Sequence, residues 1–128
     1  MSVRFDRENV GAGPRISGFV EGGFCIDGEV HEGGVLLTPQ GVERWDAPAL
    51  DALVPADVEH LLALAPAPEF LLIGTGAALA RPPRAFVEAL ETRGIGVEPM
   101  DSRAAARAWM VLRAEDRWIA AALFPLNR

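Results

Sequence analysis

The residues best suited to chemistry follow an apolar stretch in the second half of the chain. Phe70 to Ile73 are apolar, and Gly74-Thr75-Gly76 comes directly after them. An apolar run of this length that ends in glycines is typical of a buried strand, and ligands of α/β sheets bind at the carboxyl ends of strands. Successive backbone N–H groups in such a loop can bind an anion. The sequence therefore predicts a candidate anion site at residues 74–76.

A second cluster of polar residues stands at the start of a predicted helix. Asp101 and Ser102 are residue types that cap helices, and Arg103 and Arg107 are four positions apart and share a helix face. Together with Arg81 or Arg84 from the preceding loop, these residues could hold a carboxylate or a phosphate. The structural alternative is that Asp101 or Ser102 caps the helix while the arginines are solvated. The residue types favour this alternative.

The same loop has part of a dinucleotide-binding fingerprint, but its spacing opposes that function. Glu98 ends the following strand at about the position of a ribose-binding carboxylate. Leu79 replaces the third glycine, and a loop over 74–82 separates the glycines from the next helix. A pyrophosphate bound at a helix N-terminus needs that helix directly after the glycines. We therefore expect a structural role for the glycines.

Other chemistries lack the residues that they need. The chain has no lysine, which excludes Schiff-base chemistry and a P-loop. Its one cysteine, Cys25, lies in an apolar hairpin and excludes an internal disulfide and a cysteine metal cluster. His31 and His60 fall in different predicted elements without the spacing of a zinc site, and no nucleophile elbow occurs. We predict no catalytic residue, no cofactor and no bound metal.

The net charge and the hydropathy of the chain limit the kinds of partner that it can bind. The 128 residues include 12 Arg and 18 Asp or Glu, for a net charge of −6. Residues 1–68 carry 4 Arg and 11 acidic residues, whereas residues 69–128 carry 8 Arg and 7 acidic residues. An acidic chain without a basic stripe argues against nucleic acid as a partner. The polar N-terminal residues predict that no signal peptide is present, and no apolar run approaches about 18 residues. We expect one cytoplasmic domain without a transmembrane segment.

The first half of the chain predicts β hairpins followed by one helix. A loose lead-in at 1–15 precedes hairpins over 16–45. Their turn signals are Gly22-Gly23, Asp27-Gly28 and Gly33-Gly34. The spacing then becomes helical over 48–64. Its apolar stripe consists of Val58, Leu61, Leu62 and Ala65.

The second half predicts alternating strands and helices, which bring the two polar clusters to one sheet edge. Strands are expected at 69–73, 95–98 and 118–124. One helix starts at Pro83 and ends before Gly94, and a second runs from 101 to 113. This β-α-β-α-β order predicts an α/β core over 48–128.

Several motifs in this order resemble the Mth-type domain family. They are Leu72-Ile73-Gly74-Thr75-Gly76, Gly94 to Glu98 with Met100-Asp101-Ser102, and Ala120-Ala121-Ala122-Leu123. The resemblance covers nearly the whole chain, including Gly33-Gly34 and Pro39-x-Gly41. It implies a three-layer α/β sandwich with a central mixed sheet and no established enzymatic activity. The family includes small bacterial proteins, the adipogenesis-associated Mth domain-containing protein and mitochondrial complex I assembly factor 3.

Two classes of function remain from the sequence. The first is a non-enzymatic interaction protein with a protein partner, similar to an assembly factor and linked to respiratory complex I. The second is a small-molecule-binding domain or enzyme that uses residues 74–76 and the N-terminus of helix 101–113. Family members often have Thr and Asn at the positions of Ala108 and Met110. A polar site at those positions would be altered in this chain.

Overall fold

Two β-sheets form the framework of the computed structural model, which describes residues 13–128. A small antiparallel sheet has the order β1-β2-β3, with β1 at Ile16–Val20, β2 at Gly23–Ile26 and β3 at Glu29–Glu32. The central sheet has the order β5-β4-β8-β6-β7. Its strands are β4 (Gly34–Thr38), β5 (Gly41–Trp45), β6 (Phe70–Gly74), β7 (Gly96–Met100) and β8 (Ala120–Leu123). β8 pairs antiparallel with β4 and parallel with β6, so this sheet is mixed, as predicted.

The hairpins predicted over 16–45 divide between both sheets. Asp27 and Gly28 turn the chain with φ values of 51° and 83°, and Gly33 at φ 84° ends the small sheet. β4 then pairs with β5 and with β8, and thereby enters the central sheet. The predicted antiparallel hairpins are therefore present, and β4 and β5 also belong to the central sheet. Local turn signals specify each hairpin, but pairing with β8 depends on residues more than 80 positions away.

In the described residues 13–128, three helices cover the two faces of the central sheet. They are α1 (Glu59–Leu62), α2 (Arg84–Thr92) and α3 (Ser102–Ala114). Because side chains alternate along a strand, Leu71 and Ile73 pack with α1 and α2, while Leu72 packs with α3 and the small sheet. This arrangement is the predicted three-layer α/β fold.

The helix predicted over 48–64 is wrong in its length. Residues Leu50–Ala52 and Pro55–Val58 form 3₁₀ turns, and only α1 is α-helical. Asp57 accounts for the tight turn, because its carboxylate accepts from the Val54 N–H at 2.9 Å and its carbonyl accepts from Trp45 Nε1 at 3.1 Å. Three residues of the predicted stripe are buried, whereas Ala65 is exposed.

The helices of the second half agree with their sequence signals. α2 begins directly after Pro83, buries Phe86 and Leu90, and is followed by Gly94 at φ 82°. α3 buries Trp109, whose Nε1 donates to the Pro14 carbonyl at 2.9 Å. Within residues 13–128, none of the helices has the length and apolarity that crossing a bilayer requires.

Candidate functional site

Ser102 connects the three chain segments that meet at the carboxyl end of β6. Its hydroxyl accepts from the Gly76 N–H at 2.8 Å and donates to the Phe124 carbonyl at 2.7 Å. Its own N–H donates to the Gly76 carbonyl at 2.8 Å. The side chain is fully buried, so water cannot replace these bonds. The hydroxyl therefore serves the architecture of this edge.

Both glycines of the loop have a steric reason to be glycine. A Cβ at Gly74 would lie 2.8 Å from Ser102 Oγ and 2.9 Å from a Leu123 methyl group. Gly76 has φ 104°, and a Cβ there would lie 2.9 Å from the backbone carbonyl carbon of Arg128. A side chain at either position would require neighbouring atoms to shift. The expected structural role of these glycines thus has a direct cause.

The loop N–H groups that were expected to face an anion are bonded to protein atoms. Thr75 N–H donates to the Met100 carbonyl at 2.7 Å, and Gly76 N–H donates to Ser102. The next helix, α2, begins only at Arg84. An anion at this loop would have to displace internal hydrogen bonds, and a pyrophosphate would find no helix N-terminus directly after it. Anion binding at 74–76 stays a prediction.

The Thr75 side chain orders the loop that follows. Its hydroxyl, which is almost fully buried, donates to the Ala78 carbonyl at 2.7 Å and accepts from the Ala80 N–H at 3.1 Å. These two bonds hold residues 77–80 as a compact turn. Within this segment, Leu79 has 66% of its surface exposed. We call residues 77–80 the Leu79 loop.

The residues of the second predicted cluster have two different roles. Asp101 is a helix cap, and Arg103 and Arg107 form a pair of cations. Asp101 caps α3, since its carboxylate accepts from the Ala104 N–H at 2.9 Å. The guanidinium carbons of Arg103 and Arg107 lie 5.4 Å and 5.9 Å from the centre of the Phe19 ring. The arginines are thus placed against the small sheet by cation–π contacts.

The structure joins some of the predicted site residues and leaves others apart. Gly76 is bonded directly to Ser102, and the Thr75 hydroxyl lies 3.1 Å from the carbonyl oxygen of Met100, the residue before Asp101. Arg81 and Glu98 are exposed. Within residues 13–128 their side chains make no hydrogen bond or ion pair with the other predicted residues. One pocket formed by the whole predicted set is not seen in the described part of the chain.

A cleft of about 550 Å³ beside the Leu79 loop was missed by sequence reasoning. Its walls combine the loop with Ala49, Leu50, Phe124 and Arg128. The Arg128 guanidinium donates to the Pro48 carbonyl at 2.7 Å and to the Ala47 carbonyl at 3.3 Å. These residues come from three distant parts of the sequence and carry no shared motif. Only the tertiary structure brings them together.

The ionisable side chains form no metal centre within residues 13–128, because no three His, Cys, Asp or Glu residues cluster there. His60 Nδ1 lies 2.7 Å from Glu43 Oε1 at the protein surface, and both side chains are at least half exposed. An exposed pair of this kind has only two of the three or more ligands that a protein metal site supplies.

The fold and this edge define a small three-layer α/β domain whose loop polar groups serve mainly as internal hydrogen-bond partners. A family model described as a protein of unknown function (DUF498/DUF598) matches residues 16–124. The chain therefore belongs to this family.

Similar proteins agree with the resemblance found in the sequence. An uncharacterised protein of Rhodobacter capsulatus is 39% identical over 111 residues, covering 87% of this chain and 84% of that protein. NADH dehydrogenase [ubiquinone] 1 alpha subcomplex assembly factor 3 of Danio rerio is 31% identical over 124 residues, covering 97% of this chain and 71% of that protein. A solution structure of a Mth938-like domain from Bordetella pertussis has a TM-score of 0.76 and 25% identity, covering 89% of this chain and 87% of that chain. The predicted family is confirmed.

Proposed function

We propose that this protein is a non-enzymatic, cytoplasmic interaction domain that assists the assembly of respiratory complex I. Support comes from the similarity to a complex I assembly factor along nearly the whole chain. An assembly factor needs a surface that binds a protein partner and has no requirement for a reacting side chain. The Leu79 loop provides such a surface.

The exposure of Leu79 on an ordered loop is the observation that carries this proposal. A large apolar side chain that is 66% exposed leaves apolar area in water. The same loop contains three alanines, Ala77, Ala78 and Ala80. Leu50 and Phe124 line the cleft beside it. The bonds to Thr75 already order the loop, so a partner would lose little entropy in binding it. Such a preformed apolar projection is a surface that a protein partner can cover.

The interaction function is favoured over the small-anion alternative by the state of the loop polar groups. The Thr75 and Gly76 N–H groups are bonded internally, while the apolar side chain of Leu79 faces solvent. The exposed side chains of the Leu79 loop itself, residues 77–80, are therefore apolar. A protein surface is a better match for it than a phosphate or a small carboxylate.

Chromosomal replacement in the source organism tests the proposal. Deletion of the gene is expected to lower the NADH:ubiquinone oxidoreductase activity of isolated membranes and the amount of assembled complex I on native gels. Leu79→Asp is expected to reproduce the deletion, because a charge at the contact must be desolvated on binding. The level and the thermal stability of the variant protein should match those of the wild type.

Val111→Asp is the matched control, because Val111 on α3 is 58% exposed and similar in character. This variant should retain wild-type complex I activity. Full activity in the deletion strain would refute the assembly function. Full activity in the Leu79→Asp strain, with loss in the deletion strain, would refute the Leu79 loop as the contact.

A further inference from the structure

A groove of about 280 Å³ lies between β1 and α3, on the opposite face of the central sheet from α2. Ile16, Ala106 and Met110 form its apolar floor, and residues 17–19 and Arg107 form its remaining wall. The Ile16 N–H contacts the Met110 thioether sulfur at 3.1 Å, so β1 and α3 touch at this point. An enclosed cavity of about 150 Å³ holds benzene, so this groove has room for an apolar group of roughly ten carbon atoms.

Two arginines of α3 place positive charge beside this groove. Arg103 and Arg107 are exposed, and their guanidinium carbons lie 5.4 Å and 5.9 Å from the centre of the Phe19 ring. Phe19 makes an edge-to-face contact with Phe24 at 6.1 Å between ring centres, which supports the ring beneath the arginines. Within residues 13–128, neither guanidinium has a carboxylate partner or a hydrogen bond to the protein. Their N–H donors are therefore available to a bound anion.

The apolar floor and the two cations lie on the same side of β1. The pairing of β1 with β2 shifts in register between Ile16 and Gly18, and this irregularity brings Ile16 and Phe19 to one face. Both residues belong to the same apolar cluster as Met110. A ligand for this groove therefore needs an apolar part and an anionic part that are directly joined. A small anion alone would leave the floor uncovered, and a hydrocarbon alone would leave the arginines without a partner.

We propose that the groove between β1 and α3 binds a medium-chain carboxylate, which is a single hydrocarbon chain of roughly ten carbon atoms with a terminal carboxylate. The chain lies on the apolar floor, and the carboxylate accepts hydrogen bonds from Arg103 and Arg107. The two oxygens of a carboxylate match the parallel N–H donors of a guanidinium, and the arginines would repel a cationic head group. This inference concerns a different part of the surface from the Leu79 loop and does not depend on an assembly function.

Isothermal titration calorimetry of the full chain with decanoate, decylamine and acetate at pH 7 tests the proposal. Decylamine has the same hydrocarbon chain with a cationic head group, and acetate has the carboxylate without the chain. Wild-type protein is expected to bind decanoate at least about tenfold more tightly than either, with weaker binding as salt rises. The double variant Arg103→Glu/Arg107→Glu is expected to prefer decylamine over decanoate. Both positions are exposed, so circular dichroism should show an unchanged fold.

Two further variants separate this site from general charge effects and test its apolar floor. Arg84→Glu changes an exposed arginine of α2 on the other face and should leave the affinity for decanoate unchanged. Met110→Gln places an amide on the floor and keeps an oxygen that can accept from the Ile16 N–H. Because the hydrocarbon chain would desolvate this amide, decanoate should bind the variant about fivefold more weakly.

Chemical-shift mapping by NMR locates the bound decanoate. The backbone amide signals of residues 16–19 and 106–110 should shift, whereas those of the Leu79 loop should stay unchanged. Equal affinity for decanoate and decylamine, absence of saturable binding, or shifts centred on the Leu79 loop would overturn the proposal. Undiminished binding of decanoate to Met110→Gln would overturn the contact between the hydrocarbon chain and the floor.

Discussion

The Ser102 hydroxyl donates to the Phe124 carbonyl at 2.7 Å, although 22 residues separate them. The same oxygen accepts from the Gly76 N–H, so one buried atom joins the start of α3, the end of β8 and the loop after β6. This oxygen lies near the carboxyl end of β6, and ligands of α/β sheets bind outside that end of the strands. The edge is closed by the protein's own polar groups, which leaves the exposed loop beside it as the surface for contacts.

Replacement of Ser102 by alanine is expected to lower the free energy of unfolding by about 2–6 kcal/mol. The change leaves the Gly76 N–H and the Phe124 carbonyl buried without this partner, and each such group costs about 1–3 kcal/mol. Urea denaturation provides the measurement. Ser17→Ala serves as a control, because the Ser17 hydroxyl is exposed and its contact with the Cys25 carbonyl is 3.5 Å long. An equal effect in both variants would contradict the structural role of Ser102.

Replacement of Gly74 by alanine is expected to destabilise the fold by overpacking. The new methyl group would meet Ser102 and Leu123 at less than 3 Å, and such insertions cost about 1–3 kcal/mol. Gly41→Ala is the matched variant in another strand of the same sheet, where no atom beyond the chain neighbours would lie within 4 Å of the new methyl group. Thermal unfolding should place the Gly74→Ala midpoint below that of Gly41→Ala. A reversed order would refute the close contact at Gly74.

Replacement of Thr75 by valine is expected to loosen the Leu79 loop while the core keeps its stability. Valine has nearly the same shape but cannot accept from the Ala80 N–H or donate to the Ala78 carbonyl. A neutral hydrogen bond contributes about 1 kcal/mol, so exchange of the Ala80 amide should accelerate by about fivefold. Hydrogen–deuterium exchange followed by NMR provides the measurement.

Two comparisons make the Thr75 experiment specific. The Thr75 amide donates to the Met100 carbonyl and should keep its protection in the same variant. Thr92→Val removes an exposed hydroxyl that donates to the Glu88 carbonyl in α2 and should leave Ala80 exchange unchanged. If the Ala80 amide exchanges at the wild-type rate in Thr75→Val, the hydroxyl does not order the loop.

Removal of the Glu69 charge is expected to change the pH dependence of stability. Hydrogen bonds from the Arg117 guanidinium lower the pKa of Glu69 below its usual value of 4.5. Because its pKa is lowered by folding, ionised Glu69 contributes to the free energy of unfolding at pH values above its unfolded-state pKa. This contribution is lost as the pH falls through the folded-state pKa. Wild type should therefore exceed Glu69→Gln in unfolding free energy at pH 7, and the difference should shrink below pH 4.5. A difference that grows toward low pH would contradict this linkage.

A pair on α2 controls for exposed ion pairs in general. Arg84 contacts Glu88 at 2.8 Å, but both side chains are more exposed than Arg117 and Glu69. Glu88→Gln should therefore have a smaller effect at pH 7 than Glu69→Gln, since solvent and salt screen the pair on α2 more strongly. Denaturation at several pH values measures both. An equal pH 7 effect would mean that the position of Glu69 between Arg117 and the Trp118 N–H adds nothing.

Patterns within a short segment predicted the second half of the fold well. Pro83 and Gly94 delimit α2, the capping residue Asp101 starts α3, and the apolar run before Gly74 is β6. Each signal depends on backbone conformation or local hydrogen bonding, which neighbouring residues specify. The helix predicted over 48–64 is shorter than expected because the Asp57 carboxylate binds the Val54 N–H and Trp45 Nε1 binds the Asp57 carbonyl. The second of these partners lies outside the predicted helix.

The sequence by itself determined the family, the element types of the second half and the glycine-rich loop at the end of β6. Tertiary structure decided which partners these residues have. In the folded protein the Ser102 hydroxyl is hydrogen-bonded to Gly76 and Phe124, and Arg103 and Arg107 lie over the Phe19 ring. Tertiary structure also divided the hairpins between two sheets by pairing β4 with β8. These contacts join residues far apart in the chain, and a local pattern specifies the type of a group but not the distant group that it meets.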